Sequence, residues 1–457
     1  MSETPKDVES SFVPPIFCTD GLRGEAGVPP MDTETMRRVG AALGLWLQQR
    51  GPEDKRVLIG HDGRESAAGI GLALTQGLAA TEVSVLDVGL VPTPGLAFLT
   101  RTQPVQAGVM ISASHNQATD NGIKIFCEDG TKLPDAEEEE VARVTTDVPF
   151  APSTSTAPKP RTELVRAYEE HLANLFSDLD LSGMKIVVDA AHGAGSVIAP
   201  TLLQCFGAEA IAVACSPDGS NINANVGALH PSHLATMVLE HGAHFGFCLD
   251  GDGDRSIFCD ENGVIWNGDA VLMVMAIHLK GLGALPHDTV VATVMSNLGL
   301  RRALSRHGIT QHETPVGDRA VVAAMREHGF GLGGEQSGHI IFDGDGHHTG
   351  DGIYTALRLL SVPGIRERGF AAAFGEFETF PQLLVNVPVR HKPDLAEITA
   401  IQDATAAVED ELGEDGRVVL RYSGTEDLCR VMVEGPTEEI VQLHTERIAD
   451  AVRRELA

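Results

Sequence analysis

The sequence lacks any apolar run close to the roughly 20 residues that a membrane-spanning helix needs, so we expect no transmembrane segment. It also lacks a cysteine pattern. Its seven cysteines are scattered without a Cys-x-x-Cys pair, which is typical of reduced thiols in a cytosolic protein. The first residues, MSETPKDVESSFVPP, have neither a basic start nor an apolar core. We therefore expect no secretory signal and a cytoplasmic location.

Basic residues are scarce as well. The 34 lysines and arginines stand against 64 aspartates and glutamates, which gives a formal net charge of −30. This balance argues against nonspecific nucleic-acid binding and against binding to anionic membranes. Surface charge is screened over about 8 Å at physiological salt. A local group of arginines and lysines can therefore still bind a small anionic substrate.

The length of 457 residues is enough for about three or four domains of roughly 100–150 residues each. Short apolar runs in RVLIGHDGR, EVSVLDVG and AGVMISAS predict strands. The acidic run 135–140 predicts a solvent-exposed helix face. Helical spacing before the stop at Gly51 predicts a helix whose buried face contains Met36, Val39, Leu43 and Leu47.

A segment rich in proline, serine and threonine, residues 148–161, predicts a linker. Strand and helix signals alternate on both sides of it, and strand signals dominate the end of the chain. The last helix is predicted to begin after Thr437, with an apolar face formed by Ile440, Leu443, Ile448, Ala451 and Val452. We predict three α/β domains and then a smaller α+β domain, over residues 1–155, 156–262, 263–374 and 375–457.

Three aspartates stand at alternate positions in LDGDGDRS: Asp250, Asp252 and Asp254. Such carboxylates repel each other unless a cation lies between them, and hard oxygen ligands suit Mg²⁺ or Ca²⁺. A calcium loop of EF-hand type fits poorly because Arg255 occupies the position that needs glycine. An aspartyl nucleophile fits poorly because of the third aspartate. We expect a Mg²⁺ site with open positions for phosphate oxygens, beside which Arg255 suits a phosphoryl group.

Two further stretches carry polar side chains on glycine-containing loops. RYSGTEDLCR could form a phosphate-binding loop and is equally consistent with an ordinary turn. Its candidate residues are Arg421, Ser423, Gly424, Thr425 and Arg430. GGEQSGH could bind sugar hydroxyls and shuttle a proton, although in isolation it fits an ordinary loop better; its candidate residues are Glu335, Ser337 and His339.

The stretch GVMISASHNQATDNGIKIF, from Gly108 to Phe126, places two hydroxyls beside a histidine and an amide after a predicted strand. One interpretation is a polar turn, and the other is a reactive serine. FCTDGLRG, which contains Arg23, is a weak signal by itself.

Together the motifs are specific. CTDGLRG, SASHN with NGIKIF, DGDGDR, VMSNLGL, VGDR, GGEQSGH and RYSGTE follow one another in the order found in the α-D-phosphohexomutase superfamily. The resemblance covers nearly the whole chain, from about Ile16. GGEQSGH resembles the branch that acts on glucosamine phosphate, whereas relatives that act on mannose or glucose phosphate usually have methionine in place of Gln336.

The resemblance implies four domains around a central cleft, each of which contributes one loop to the site. It identifies Ser114 as the phosphoryl carrier and Ser112 as a structural neighbour, and it implies one Mg²⁺ per chain held by phosphorylated Ser114 and the three aspartates. His115, Arg23, Arg255 and Lys124 are the remaining catalytic candidates. Lys124 and His339 both remain open as the general acid or base. The RYSGTEDLCR residues are expected to bind the substrate phosphate, and Glu335 and Ser337 the sugar hydroxyls.

The implied activity is interconversion of glucosamine 6-phosphate and glucosamine 1-phosphate through a 1,6-bisphosphate, which would supply cell-wall precursors. The alternative is the same reaction on mannose or glucose phosphate. The bisphosphate must turn over within the site, which predicts a mobile last domain with a hinge near residues 375–381. Superfamily members are often homodimers. The sequence departs from the usual motifs at Cys18, Gln117, Val226, Ala228, Ala320 and Asp427.

Overall fold

A computed structural model describes residues 17, 21–51, 55–148, 155–343, 347–423 and 427–457. These residues form two compact units. The first takes its residues from 1–182, 188–230 and 249–254, and the second from 183–187, 231–248 and 255–457. Within the described ranges, no helix has both the length and the apolar character to cross a membrane.

The N-terminal domain contains a five-stranded mixed sheet of order β1-β5-β4-β2-β3. Its strands are β1 (Leu22–Glu25), β2 (Arg56–His61), β3 (Ser84–Leu90), β4 (Ala107–Ile111) and β5 (Asp120–Cys127). Its helices are α1 (Thr33–Gln48), α2 (Ala67–Ala80), α3 (Thr93–Thr102) and α4 (Asp135–Asp147). β2 is parallel to β3 and β4, whereas β5 is antiparallel to β4 and β1. The predicted strands and the predicted first helix are confirmed.

Helix α1 begins at a strong capping residue and packs closely on α2. Asp32 Oδ1 accepts hydrogen bonds from the backbone N–H groups of Glu34 (3.0 Å) and Thr35 (3.1 Å), which satisfies two donors at the helix start. A Cβ atom at Gly40 would lie 2.4 Å from the Leu74 carbonyl oxygen. Glycine is therefore required where the two helices meet.

Helix α4 confirms that the acidic run is helical, but one of its carboxylates is not solvent-exposed. Glu138 is only 2% exposed, whereas Asp135 and Glu139 are exposed. The prediction of a fully exposed face was wrong at this position, because Glu138 lies on the side of the helix that faces the domain. Of the predicted linker, residues 149–154 lie outside the described residues.

The second five-stranded sheet has the order β10-β9-β8-β6-β7. Its strands are β6 (Lys185–Asp189), β7 (Glu209–Val213), β8 (Phe245–Leu249), β9 (Ser256–Asp260) and β10 (Ile265–Trp266). Its helices are α5 (Val165–Leu175), α6 (Ile198–Cys205) and α7 (Ser232–His241). The turn between β8 and β9 contains the three aspartates, so they follow a strand and not a helix.

The third sheet is mixed and has the order β12-β11-β13-β14. β11 is parallel to β12 and β13, and β14 is antiparallel to β13. Its strands are β11 (Thr289–Thr293), β12 (Thr310–Thr314), β13 (Gly333–Gly334) and β14 (Ile340–Ile341). Its helices are α8 (Gly268–Gly281), α9 (Leu298–Arg306), α10 (Asp318–His328), α11 (Gly352–Leu360), α12 (Ile365–Arg368) and α13 (Phe370–Phe374).

The C-terminal domain has a three-stranded antiparallel sheet of order β15-β17-β16. Its strands are β15 (Gln382–Pro388), β16 (Arg417–Tyr422) and β17 (Leu428–Glu434), and its helices are α14 (Thr399–Leu412) and α15 (Glu438–Leu456). Three mixed α/β sheets followed by a small antiparallel one confirm the predicted fold class.

Helix α15 starts where predicted, but its buried face differs in part. Thr437 caps it by accepting a hydrogen bond from the Ile440 N–H (3.3 Å). Leu443 is 67% exposed, whereas Val441, Ile448 and Val452 are buried. Position 443 lies about 200° around the helix from position 441, so the placement of Leu443 on the apolar face was wrong.

The segment in which we predict a hinge is attached to a buried polar group. Asn297 Nδ2 donates to the Phe380 carbonyl oxygen (2.9 Å) and to Glu434 Oε1 (3.1 Å), and Asn297 Oδ1 accepts from the Phe380 N–H (3.0 Å). Arg417 Nε also donates to Glu434. Asp269 Oδ2 accepts from the Asn297 N–H (2.8 Å).

Asp269 should make stability depend on pH. Burial raises its pKa to about 7, above the value of about 3.9 in an unfolded chain. The folded protein therefore keeps a proton that the unfolded chain releases, so the contribution of Asp269 to stability falls as pH rises from about 4 to about 7. We expect the melting temperature of Asp269→Asn to fall less between pH 5 and pH 8 than that of the wild type. The exposed Asp288→Asn is the control, and an unchanged pH dependence in Asp269→Asn would contradict this account.

Candidate active site

Ser114 lies in the serine loop, residues 112–119, which connects β4 to β5. It is completely buried, and its Oγ donates a hydrogen bond to Asp250 Oδ2 (2.6 Å). Its φ of +52° lies in the left-handed region, which costs a residue other than glycine about 1–3 kcal/mol and persists only where the surroundings impose it. The loop therefore holds this hydroxyl in a strained, fixed position against a carboxylate.

The aspartate trio, Asp250, Asp252 and Asp254, forms a compact group of ligands. One carboxylate oxygen from each lies within 4.8 Å of the other two, and all three residues are buried. Lys124 Nζ donates to Asp252 Oδ2 (2.8 Å) and Asp254 Oδ2 (2.9 Å). Thr93 Oγ1 donates to Asp252 Oδ2 (2.5 Å).

The aspartate trio and Lys124 together carry an excess of negative charge. Three carboxylates and one ammonium give a formal charge of −2 if all are ionised, and buried charge of one sign is costly without a counter-ion. Asp252 Oδ1 is buried and has no hydrogen-bond partner among the described residues. The trio therefore fits a divalent cation that prefers oxygen ligands.

Three other predicted residues of the first unit lie in the serine loop or on the sheet that carries it. Lys124 is on β5, opposite Met110 of β4, and is 1% exposed. Arg23 is on β1, opposite Gly122 of β5. His115 Nδ1 is 3.4 Å from Ser114 Oγ. Ser114, His115, Lys124 and the trio thus form one connected group, with Arg23 on the neighbouring strand.

Three polar residues around the serine loop were not singled out in the sequence analysis: Asp62, Arg64 and Asn223. Burial raises the pKa of Asp62, while the Arg64 guanidinium and the Ser112 hydroxyl lower it. The position of Asp62 and Arg64 directly after a buried strand, in GHDGR, is the sequence signal that could have indicated them.

The second unit contains the predicted sugar-binding loop, residues 335–339, between β13 and β14. Glu335 Oε1 accepts from the Gly317 N–H (3.0 Å), and Ser337 Oγ donates to Glu335 Oε2 (3.3 Å). His339 is buried, and its Nε2 accepts from the Gly350 N–H (3.2 Å). A Cβ at Gly350 would lie 2.4–2.6 Å from the imidazole ring, so only glycine fits there.

The predicted phosphate-binding segment, residues 421–430, is also in the second unit. Arg421 and Arg430 are directly opposite each other on β16 and β17. Like charges in this position destabilise a sheet, and an anion bound between them would relieve the repulsion. Burial, with a further contribution from Arg430, lowers the pKa of Arg421. Arg430 Nη2 donates to Ser423 Oγ (3.4 Å).

Lys392 adds another cation to this segment, because its Nζ donates to the Ser423 carbonyl oxygen (3.2 Å). Gly424 and Thr425 lie outside the described residues. Arg255, half-buried immediately before β9, belongs to the second unit as well.

Comparison with known proteins identifies the family. The chain matches "Phosphoglucomutase/phosphomannomutase, alpha/beta/alpha domain I" over residues 14–151, domain II over 166–263, domain III over 267–375, and the C-terminal domain over 384–451. It is 45% identical to the phosphoglucosamine mutase of Solibacter usitatus over 449 residues, which cover 96% of this chain and 99% of that protein.

Solved structures share the fold. A phosphoglucomutase/phosphomannomutase family protein from Burkholderia thailandensis matches with a TM-score of 0.78 at 24% identity, over 95% of this chain and 97% of that one. The N-acetylphosphoglucosamine mutase of Aspergillus fumigatus, in complex with GlcNAc-6P and magnesium, matches with a TM-score of 0.64 at 18% identity, over 96% and 95%. The family models and the 45% identical relative show that the chain belongs to the phosphoglucomutase/phosphomannomutase family of the α-D-phosphohexomutase superfamily, as its motifs predicted.

Proposed function

We propose that this chain is a phosphoglucosamine mutase. It interconverts glucosamine 6-phosphate and glucosamine 1-phosphate through phosphorylated Ser114 and a glucosamine 1,6-bisphosphate. The observation that carries the proposal is the 2.6 Å hydrogen bond from Ser114 Oγ to the aspartate trio, which places a hydroxyl beside a cation site. The name of the relative that is 45% identical supports the choice of sugar.

The cation is proposed to be one Mg²⁺, held by the aspartate trio and an oxygen of phosphorylated Ser114. When bound, it offsets the negative charge of the phosphoryl group during transfer. The Aspergillus fumigatus enzyme in complex with magnesium supports this choice. Lys124, held by Asp252 and Asp254, adds a second positive charge at the same place.

The reaction is two phosphoryl transfers in opposite directions. In the first, the bond between phosphorus and Ser114 Oγ breaks as a bond forms to the sugar 1-oxygen, whose proton passes to His339 or to Lys124, the latter only in its neutral amine form. In the second, the bisphosphate has turned over, its 6-phosphoryl group bonds to Ser114 Oγ, and the 6-oxygen takes a proton. No water is consumed, and the enzyme returns to its phosphorylated form.

The remaining candidates are assigned from the family resemblance, with which their chemistry agrees. Arg421, Ser423, Gly424, Thr425 and Arg430 bind the phosphate that is not being transferred, since paired guanidinium groups favour an anion. Glu335 and Ser337 bind sugar hydroxyls. Arg23, Arg255 and His115 act on the transferring phosphoryl group.

A comparison of substrates tests the choice of sugar. We expect a clear preference in kcat/KM for glucosamine 6-phosphate over glucose 1-phosphate and mannose 1-phosphate, assayed with Mg²⁺ and a trace of bisphosphate. Gln336→Met should shift the ratio toward the neutral sugars, because Gln336 is the loop residue that differs between the branches. A wild-type preference for the neutral sugars would support the alternative, a phosphomannomutase/phosphoglucomutase with the same mechanism.

A further inference from the structure

We propose that Arg64 and Asn223 are positioning residues that clamp the backbone of the serine loop, so that Ser114 keeps its reactive geometry whether or not it carries a phosphoryl group. This inference rests on the proposed function, since it concerns the same serine. Neither residue touches the Ser114 hydroxyl in the described contacts. Both act through backbone carbonyl groups of the loop.

All three nitrogens of the Arg64 guanidinium group donate hydrogen bonds. Nε donates to Asp62 Oδ2 (2.9 Å), and Nη2 donates to the carbonyl oxygens of Ser114 (3.0 Å) and Asn116 (2.7 Å). Nη1 donates to the carbonyl oxygens of Gln117 and Asp120. The five N–H donors of arginine are thereby matched by five acceptors. The Arg64 side chain is completely buried.

Asn223 reaches the same loop from a different segment of the first unit. Its Nδ2 donates to the carbonyl oxygens of Ser114 and Asn116, both at 2.8 Å. These are the two carbonyls that Arg64 Nη2 also contacts. Asn223 is buried and has a φ of +58°, which asparagine adopts more readily than most residues.

The N–H side of Ser114 is fixed by a separate chain of hydrogen bonds. The Ser114 N–H donates to Ser112 Oγ (2.8 Å), and Ser112 Oγ donates to Asp62 Oδ2 (2.6 Å). Asp62 in turn accepts from Arg64. The peptide groups on both sides of Ser114 are therefore tied to one buried ion pair, which accounts for the retention of the left-handed φ.

This arrangement matters because the charge of the loop changes during the reaction. A phosphoryl group adds about −1.5 to −2 charge, and each turnover removes and restores it. A loop that relaxed each time would lose alignment, and a displacement of about 1 Å can cost on the order of 10²-fold in rate. Lysine cannot replace Arg64, because an ammonium has three donors and lacks the planar fork.

The test compares Arg64→Lys and Asn223→Gly with the wild type. Glycine keeps the positive φ at position 223 and removes the amide donors. We expect kcat to fall on the order of 10–10²-fold in each variant, with KM for glucosamine 6-phosphate nearly unchanged. The rate at which the dephosphorylated enzyme takes a phosphoryl group from glucosamine 1,6-bisphosphate, followed by intact mass, should fall in parallel. The double variant should lose less than the product of the two effects, because both residues hold the same carbonyls.

Lys55→Met is the matched control. Lys55 is also buried, and it donates a hydrogen bond to the Arg50 carbonyl oxygen. Lys55 precedes β2 and Arg64 follows it, so the length of the strand, about 20 Å, separates the two residues. It should lower the melting temperature without lowering kcat. Variants of Arg64 and Asn223 that melt earlier yet keep wild-type kcat would overturn the positioning role. If Arg64→Lys does not fold, Asn223→Gly decides alone. A wild type that never becomes phosphorylated would instead overturn the proposed function.

Discussion

Ser114→Ala should abolish mutase turnover, with a loss in kcat on the order of 10⁴-fold or more. The variant removes the oxygen that accepts and returns the phosphoryl group and that donates a hydrogen bond to Asp250 Oδ2. Intact mass of the variant after incubation with glucosamine 1,6-bisphosphate should show no added phosphoryl group.

Ser112→Ala is the matched control for that experiment, since it removes a buried hydroxyl two residues away. It should still become phosphorylated on Ser114 and should lose less activity, because Ser112 joins the Ser114 N–H to Asp62 but does not carry the phosphoryl group. Turnover by Ser114→Ala near that of Ser112→Ala would show that the phosphoryl group travels by another route.

Asp252→Asn should lower turnover by at least about 10²-fold and weaken Mg²⁺ binding measured by calorimetry. It removes one of three buried negative charges and the carboxylate whose Oδ1 has no partner among the described residues. Mg²⁺ should also raise the melting temperature of the wild type more than that of the variant, because a ligand of the folded state stabilises it.

Asp189→Asn is the control for the loss of a buried aspartate in the first unit. Asp189 accepts from the backbone N–H groups of Ala191 (2.9 Å) and Gly227 (3.1 Å) and is not part of the trio. It should cost stability but leave the affinity for Mg²⁺ unchanged. Equal Mg²⁺ affinity of Asp252→Asn and the wild type would exclude the trio as the metal site.

Features that are local in sequence were predicted from it. The apolar period of helix α1 predicts its buried face, and the trio lies within five consecutive residues. Ser114 could be named because the motif around it is specific. The contact of Lys124 with Asp252 joins residues 128 positions apart, and only the fold reveals it.

The clamp on the serine loop could not be predicted in the same way. Its acceptors are backbone carbonyls, which every residue has, so no side-chain pattern marks them. Gln117, where the family usually has proline, keeps this contact: its carbonyl oxygen accepts from Arg64, and proline offers the same group. The errors at Glu138 and Leu443 arose because apolar and acidic residues both occur on either side of an amphipathic helix.

The most direct test of the account is a single turnover of enzyme carrying a radiolabelled phosphoryl group on Ser114. The labelled enzyme is mixed with unlabelled glucosamine 6-phosphate and Mg²⁺, and the products are separated. We expect the label to move to the 1-oxygen of the sugar and to appear in glucosamine 1-phosphate, while Ser114 acquires an unlabelled phosphoryl group. Release of the label as inorganic phosphate, or its retention on the enzyme while product forms, would contradict the mechanism.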